Sequence, residues 1–327
     1  MTILVTGSTG HLGEAIIRLL RDRGHAAAGL DIAPSPYTDF VGSIADRPFV
    51  RQAMADVDAV IHAATLHKPH VATHARQEFV DTNVTGALNL MEEAVEERVS
   101  SFVFTSTTSV FGDALIPAAG KPAAWITEDV SPQPKNIYGI TKLSAENLGR
   151  LFARKYRLPV TVLRTSRFFP EEDDRQAIRE GFDDENAKAN EFLFRRVDIE
   201  DAAQAHICAL ERPASTGFDL FIISATTPFS VEDLKDLRVD PSAVLRRKLP
   251  ELHDEYGKRG WRMFDEIDRV YVNRKARNEL GWKPRYDHRI LLERLQAGEP
   301  VLGPMAQTVG LKGYHAETFD EGPYPVD

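Results

Sequence analysis

Thr6-Gly7-Ser8-Thr9-Gly10-His11-Leu12-Gly13 stands directly behind the apolar run Ile3-Leu4-Val5 and ahead of Glu14-Ala15-Ile16-Ile17-Arg18-Leu19-Leu20, whose apolar residues recur at helical spacing. Strand, glycine turn and helix therefore follow one another with nothing between them. Such a turn aims backbone N–H groups and the positive end of a helix dipole at one point, where a pyrophosphate can sit. Glycines at 7, 10 and 13 let the turn close, the phosphate approach the backbone and the helix pack against the strand. Glycine triplets are common in loops, so the flanking strand and helix are what raise this one to a binding motif.

Outward from the turn, strand-like runs alternate with amphipathic segments. The strands are expected at 26–30, 59–62, 102–105, 160–163 and 220–223, and the helices around 46–55, 75–97, 137–156 and 198–211. This alternation predicts an α/β fold, a Rossmann-type doubly wound parallel sheet with a small C-terminal substrate-binding cap. Ligands in such sheets bind at the carboxyl ends of the strands. Regularity fades after about residue 165. The domain boundaries expected are 1–165 for the nucleotide-binding domain, with 198–225 returning to it, and 166–197 plus 226–327 for the cap and tail. The tail from Gly310 to Asp327 has no clear periodicity and is left between packing and mobility.

The chain has 327 residues, a formal charge of −9 and a pI near 5.6. That balance argues against nucleic acid and against an anionic membrane as partners. No apolar run approaches the roughly 20 residues that span a bilayer. The first strand begins within three residues of Met1, which leaves no room for a signal peptide, and the single cysteine, Cys208, allows no intrachain disulfide. A cytoplasmic location is expected. Cys208 lies in a helical stretch and is expected to be a core residue.

Asp31 closes the second strand, where a carboxylate can accept hydrogen bonds from both adenosine ribose hydroxyls and repel a 2′-phosphate; no arginine follows it, which favours NAD over NADP. In Tyr138-Gly139-Ile140-Thr141-Lys142, the phenol and ammonium groups lie four residues apart on one helix face. A tyrosine with its ordinary pKa near 10 is a poor base at neutral pH, and a nearby cation favours the phenolate. Upstream, Phe104-Thr105-Ser106-Thr107-Thr108-Ser109 ends a strand in hydroxyls, which serve either turn formation or a substrate oxygen.

On these landmarks the chain resembles the extended short-chain dehydrogenases/reductases of the NAD-dependent epimerase/dehydratase superfamily. The matching stretches are residues 6–13, Asp31, Val60-Ile61-His62-Ala63-Ala64, Asn83-Val84-Thr85-Gly86, Val110-Phe111-Gly112, Tyr138 to Lys142, Arg164, Arg196 to Asp201, Asp268 to Tyr271 and Leu280-Gly281-Trp282. The resemblance covers about residues 1–285. It implies Tyr138 as general acid/base, Lys142 as the group that holds the nicotinamide ribose and tunes Tyr138, and Thr107 as the catalytic hydroxyl, with Ser106 as its fallback. It implies a cofactor site of Gly7, Thr9, Gly10, His11, Leu12, Gly13, Asp31, Ser43, Ile44, Ala63, Ala64, Asn83, Tyr138 and Lys142. The family's aspartate near the third strand is replaced by Ser43, which can seat the adenine only through a neutral hydrogen bond.

Other departures bear on the substrate. Sugar 4,6-dehydratases resemble Thr-Asp-Glu where this chain has Thr107-Thr108-Ser109, so elimination lacks its acid and base. Nucleotide-sugar epimerases carry a long segment where only Pro170 to Phe194 stand here, and these are acidic enough to repel a diphosphate. Leu163 to Glu171 is similar to uronate dehydrogenases, which implies Ser166 at the substrate and Arg167 or Arg175 on a carboxylate. His67 and Thr108 complete the expected substrate contacts, with Thr107.

The acidic run 171–185 is expected to be a solvated helix or lid, and Arg195-Arg196 either bind phosphate or pair with that run. His70 and His74 have the spacing of zinc ligands, but Pro69 precedes them and no acidic helper completes a motif, so no metal is expected. The segments 84–97 and 138–156 pair across a homodimer in relatives, and Val84, Leu88, Met91 and Val95 suit an interface or a core. The function expected is NAD-dependent oxidation or reduction at a hydroxyl or carbonyl of a small polar, sugar-derived substrate. The alternatives are a sugar or nucleotide-sugar epimerase and a non-catalytic NAD-sensing protein.

Overall fold

A computed structural model of the chain describes residues 1–214, 217–313 and 319. Seven parallel strands form the central sheet in the order β3-β2-β1-β4-β5-β7-β8. They are β1 (Thr2–Thr6), β2 (Ala26–Asp31), β3 (Phe40–Val41), β4 (Ala59–His62), β5 (Ser101–Thr107), β7 (Val160–Thr165) and β8 (Phe218–Ile223). A second, two-stranded parallel sheet pairs β6 (Ala124–Ile126) with β9 (Arg269–Tyr271). The small sheet was not expected from the sequence, and β3 was implied only by the resemblance, as the strand beside Ser43.

Alternation along the strands explains the layers. Ile3, Val5, Ile61 and Val103 bury on one face with the helix α1 (His11–Asp22) and the helix Ile199–Glu211. Leu4, Val60, Phe102 and Phe104 bury on the other, against the helices Gly86–Glu96 and Ile137–Tyr156. Successive side chains on a strand point to opposite faces, and a sheet covered on both faces needs apolar residues at every position. The strand order reverses between β1 and β4, so the crevice of the doubly wound sheet opens at Gly7 and Ala63.

The expected helix 75–97 is three pieces: Arg76–Val80, a π-helical turn Asp81–Thr85, and Gly86–Glu96. The extra residue of a π turn re-aims the side chains it carries, and here it carries Asn83. The C-terminal region is tied to the sheet through the helix Ile199–Glu211. Trp282 is fully buried and donates its indole N–H to the Asp201 carbonyl at 3.0 Å. The Asp201 carboxylate accepts the backbone N–H groups of Arg285 and Tyr286, both at 2.8 Å. Cys208 is half-buried against the main core and accepts from Gln204 Nε2 at 3.4 Å. Of the tail, Gly310 to Gly313 and Phe319 are described, and the rest of that expectation lies outside the described residues.

Candidate active site

A cleft of about 460 Å³ crosses the carboxyl ends of the strands, from the glycine turn to the cap. The turn is a close-packed cradle. Gly7 has φ +76°, and a Cβ there would lie 2.7 Å from the Ala64 nitrogen; one on Gly13 would lie 2.0 Å from the Gly7 carbonyl oxygen. Gly10, the N-cap of α1, has no side chain to cap the helix, so the first turn faces the cleft with its dipole. Asp31 accepts the Thr9 N–H at 3.0 Å, which locks the end of β2 onto the turn. Ala64 donates its N–H to Thr6 Oγ1 at 3.1 Å, and Ser43 Oγ accepts from Ala45 N–H at 3.2 Å. Anion-binding backbone beside a ribose-binding carboxylate fits a dinucleotide, so Gly7 to Gly13 would hold the diphosphate and Asp31 the adenosine ribose. All the expected cofactor residues line this cleft except Asn83.

Asn83 is a correction to the expected contacts. Its amide is consumed inside the protein: Oδ1 accepts from Leu66 N–H at 2.8 Å and Thr65 Oγ1 at 2.9 Å, while Nδ2 donates to the Leu66 carbonyl at 2.9 Å and Thr141 Oγ1 at 3.0 Å. It holds the loop after β4 to the helix that carries Tyr138, and does not itself line the cleft.

Tyr138 is the second residue of the helix Ile137–Tyr156, which Asn136 caps by accepting the Gly139 N–H at 3.0 Å. Its phenol and Thr107, the last residue of β5, line the cleft together. Burial pushes the phenol up to about 12, and the nearby Thr107 hydroxyl opposes that rise. Lys142, one turn further on, is 2% exposed and lies 4.3 Å from the Phe104 ring centre. Burial pulls its ammonium down to about 7, against the attraction of Glu146.

Ser106 and Thr107 are told apart by the pleat. Ser106 donates to Glu146 Oε1 at 2.6 Å, and Arg164 holds the same carboxylate through Nε at 3.0 Å and a terminal nitrogen at 2.7 Å. That buried trio packs behind the site, leaving Thr107 as the hydroxyl that meets Tyr138. Glu146 is the residue sequence reasoning missed, and its signal was present: it follows Lys142 by four residues on the same helical face. On the other side of Lys142, His62 is buried and held well below its ordinary pKa, by burial and by the charge of Lys142. One ring nitrogen of His62 bonds Thr6 Oγ1 at 2.8 Å.

At the substrate end, His67, Thr108, Ser166 and Arg167 line the cleft as expected. Arg175 does not. It stands 3.7 Å from Asp173 with its side chain 55% exposed, outside the cleft wall. Ser166 is 3% exposed, and its hydroxyl has no hydrogen-bond partner among the described residues. His67 stacks on Phe169, their rings 5.5 Å apart at 22°. The rings of His67, His70 and His74 pack edge to face, 4.7 and 4.8 Å between neighbours.

In the acidic run 171–185 the helix Gln176–Gly181 has no buried residue, as expected of a solvated helix, but three acids depart from expectation. Glu171, Asp173 and Asp174 are buried, not solvated. Asp173 and Asp174 lie 3.8 and 3.3 Å from Arg167; Arg195 reaches Asp173 at 3.1 Å and Glu191 at 2.6 Å; Arg196 reaches Glu191 at 3.0 Å. The Arg195-Arg196 pair thus meets the acidic run and the helix Asp184–Phe192. Surrounding guanidinium groups hold Glu191 down at about 2, despite its burial. Glu171 lies 2.8 Å from His11 Nε2, and Lys68 ion-pairs with Asp174. These two contacts bridge the cap to the glycine turn and to the loop after β4, over the cleft. Pairing of Arg195 with this run was one of the two readings of the sequence; the ion pair with Lys68, over a hundred residues back, was visible only in the fold.

Residues 3–222 match the model of the NAD dependent epimerase/dehydratase family. The chain belongs to that family. Its enzymes are of the NAD-dependent extended short-chain dehydrogenase/reductase type, so NAD is the cofactor of this cleft. Over 340 residues the chain is 25% identical to a UDP-glucose 4-epimerase of Corynebacterium glutamicum, covering 93% of this chain and 97% of that one. It is 28% identical to an uncharacterized UDP-glucose epimerase of Bacillus subtilis, over 50% of this chain and 55% of that relative, so the match spans about half the relative's length. In fold it is similar to a short-chain dehydrogenase/reductase superfamily protein of Agrobacterium tumefaciens with bound NAD, at a TM-score of 0.65 and 21% identity, covering 94% and 97% of the two chains.

Proposed function

We propose that this chain is an NAD-dependent epimerase that inverts a hydroxyl-bearing carbon of a sugar. The observation that carries the reading is that Tyr138, Thr107 and, one helical turn on, Lys142 line the family's NAD cleft together. The full-length similarity to UDP-glucose 4-epimerases supports epimerisation over net oxidation. NAD, when bound, supplies a hydride acceptor that an epimerase discharges onto the opposite face of the same carbon. The chain's own part is proton handling: Thr107 orients the substrate hydroxyl, Tyr138 takes its proton and later returns one, and Lys142 favours the phenolate. Enclosure by the Glu171–His11 and Lys68–Asp174 contacts suits a cofactor that stays through the cycle.

Replacing Tyr138 by Phe removes the proton carrier and leaves the ring. Turnover of the sugar is expected to fall by roughly 10²–10⁴-fold with NAD binding kept; unchanged turnover refutes the assignment. A second reading, net oxidation of a sugar, is favoured by the unpartnered Ser166 hydroxyl, which suits a substrate oxygen at the position the uronate dehydrogenase resemblance singles out. NADH accumulating in step with product identifies that case.

We also infer a homodimer in the cytoplasm. Ile140 and Leu151 on the helix Ile137–Tyr156, one of the two segments that pair in relatives, are 47% and 38% exposed. Among the described residues no helix is long and apolar enough to cross a membrane.

A further inference from the structure

We propose that Glu146 is a positioning residue of the active site: its carboxylate clamps the helix that carries Tyr138 and Lys142 to the ends of β5 and β7, and is the counter-charge to Lys142. This deepens the reading above and rests on its assignment of Thr107, Tyr138 and Lys142.

Ser106 and Arg164 are register partners on adjacent strands, so their side chains share one face of the sheet, the face that the helix Ile137–Tyr156 covers. Glu146 meets both from that helix. One carboxylate oxygen accepts the Ser106 hydroxyl at 2.6 Å and Arg164 Nε at 3.0 Å, and the other accepts a terminal nitrogen of Arg164 at 2.7 Å. Ser106 and Glu146 are 2% exposed and Arg164 4%. Thr107 follows Ser106, and Thr165 and Ser166 follow Arg164; all three line the cleft. The Thr165 hydroxyl donates to the Ser106 carbonyl at 3.0 Å, and Arg164 lies 4.9 Å from the ring centre of Phe111, in the segment Thr108–Leu115 after β5. One carboxylate thus sets the spacing between the hydroxyls at the strand ends and the phenol and ammonium of the helix. Glu146 itself stands behind the cleft wall, so it acts only through these neighbours.

A buried ion pair adds little stability over apolar residues of the same volume. What a satisfied buried network adds is one defined arrangement, which reacting groups require. Its charge has a second use. Lys142 and Glu146 lie one turn apart on the same helical face. The other titratable or charged groups about Lys142 among the described residues are Tyr138 on its own helix, the neutral His62 on β4, and Arg164 on β7, which Glu146 engages. From β5 the Phe104 ring faces it. Glu146 is the one of these groups whose charge favours the ammonium, against the burial that disfavours it.

The test is a carbon-13 NMR pH titration of the protein labelled at its lysines, with the Lys142 signal assigned by its loss in Lys142→Met. In Glu146→Gln the Lys142 midpoint is expected to fall by about one pH unit or more. In Ser106→Ala, which keeps the carboxylate, it is expected to stay at the wild-type value. Should Glu146→Gln fail to fold with Arg164 left unpaired, Glu146→Gln/Arg164→Gln removes both charges together and is expected to show the same fall. A Lys142 midpoint that does not move when the carboxylate is removed overturns the proposal. The clamp is read separately: Ser106→Ala is expected to lower kcat for the sugar roughly three- to ten-fold with KM kept. An unchanged kcat, where Tyr138→Phe abolishes turnover, overturns the proposal while leaving the epimerase reading intact. The titration needs no sugar, so its outcome stands apart from that reading.

Discussion

Burial moves the proton affinities of Tyr138 and Lys142 in opposite directions, the phenol up to about 12 and the ammonium down to about 7. Both shifts disfavour the charged forms that the chemistry uses. Lys142 therefore sits at a cost to the fold. Its folded pKa is below the unfolded value of 10.5, so the folded state binds fewer protons than the unfolded between pH 7 and 10.5, and stability rises with pH across that window. The penalty is complete below pH 7 and relieved above 10.5. Lys142→Met is accordingly expected to be more stable than wild type at pH 6, by roughly 1–3 kcal/mol. That advantage should shrink by pH 9.5, as read by denaturant unfolding at the two pH values, while activity is lost at both. These residues were legible in the sequence because helical spacing alone puts Tyr138 and Lys142 on one face. The choice of Thr107 over Ser106 came from the family resemblance, since composition alone does not say which of two strand neighbours, facing opposite ways, meets the cleft.

At the scale of the element, the glycine turn was legible in full, since strand, turn and helix are contiguous in sequence. Its steric demand is now specific. A methyl group on Gly13 would overlap the Gly7 carbonyl, a backbone atom that cannot swing aside. Gly13→Ala is expected to destabilise the protein by about 2 kcal/mol or more and to weaken NAD binding at least about ten-fold, measured by thermal unfolding and NAD titration. A folded variant with wild-type NAD affinity would show that the turn does not hold the diphosphate. Within the acidic run 171–185, Glu171, Asp173 and Asp174 were misread as solvated, while the pairing of Arg195 with that run was one of the two readings the sequence offered. Lys68, over a hundred residues back, carried no such signal. The π turn at Asn83 was likewise invisible, since its apolar pattern passes for continuous helix.

For the whole molecule, the doubly wound sheet followed from alternating strands and helices, whereas the β6–β9 sheet joins two three-residue strands far apart in the chain and has no periodic signal. The cap is fastened by charge. Glu191 lies among Arg167, Arg195 and Arg196, and its depressed pKa of about 2 means that its contribution is complete above the ordinary 4.5 and is lost as pH falls from there through 2. Glu191→Gln is expected to lose about 3 kcal/mol of stability at pH 7, with the gap to wild type narrowing at acid pH; a gap independent of pH would place the effect in packing. The C-terminal segment adds a further tie, with the Lys312 N–H donating to Glu171 at 3.2 Å and its ammonium paired with Glu14 on α1. Sheet, glycine turn and cap thereby enclose one cleft, in which a sugar carbon would be oxidised and restored without leaving. The fate of the hydrogen on that carbon tests this most directly. With an aldose deuterated at the carbon that inverts, the account predicts that the epimer keeps its deuterium at that carbon. Deuterium washed out to solvent, or recovered in free reduced cofactor, would contradict it.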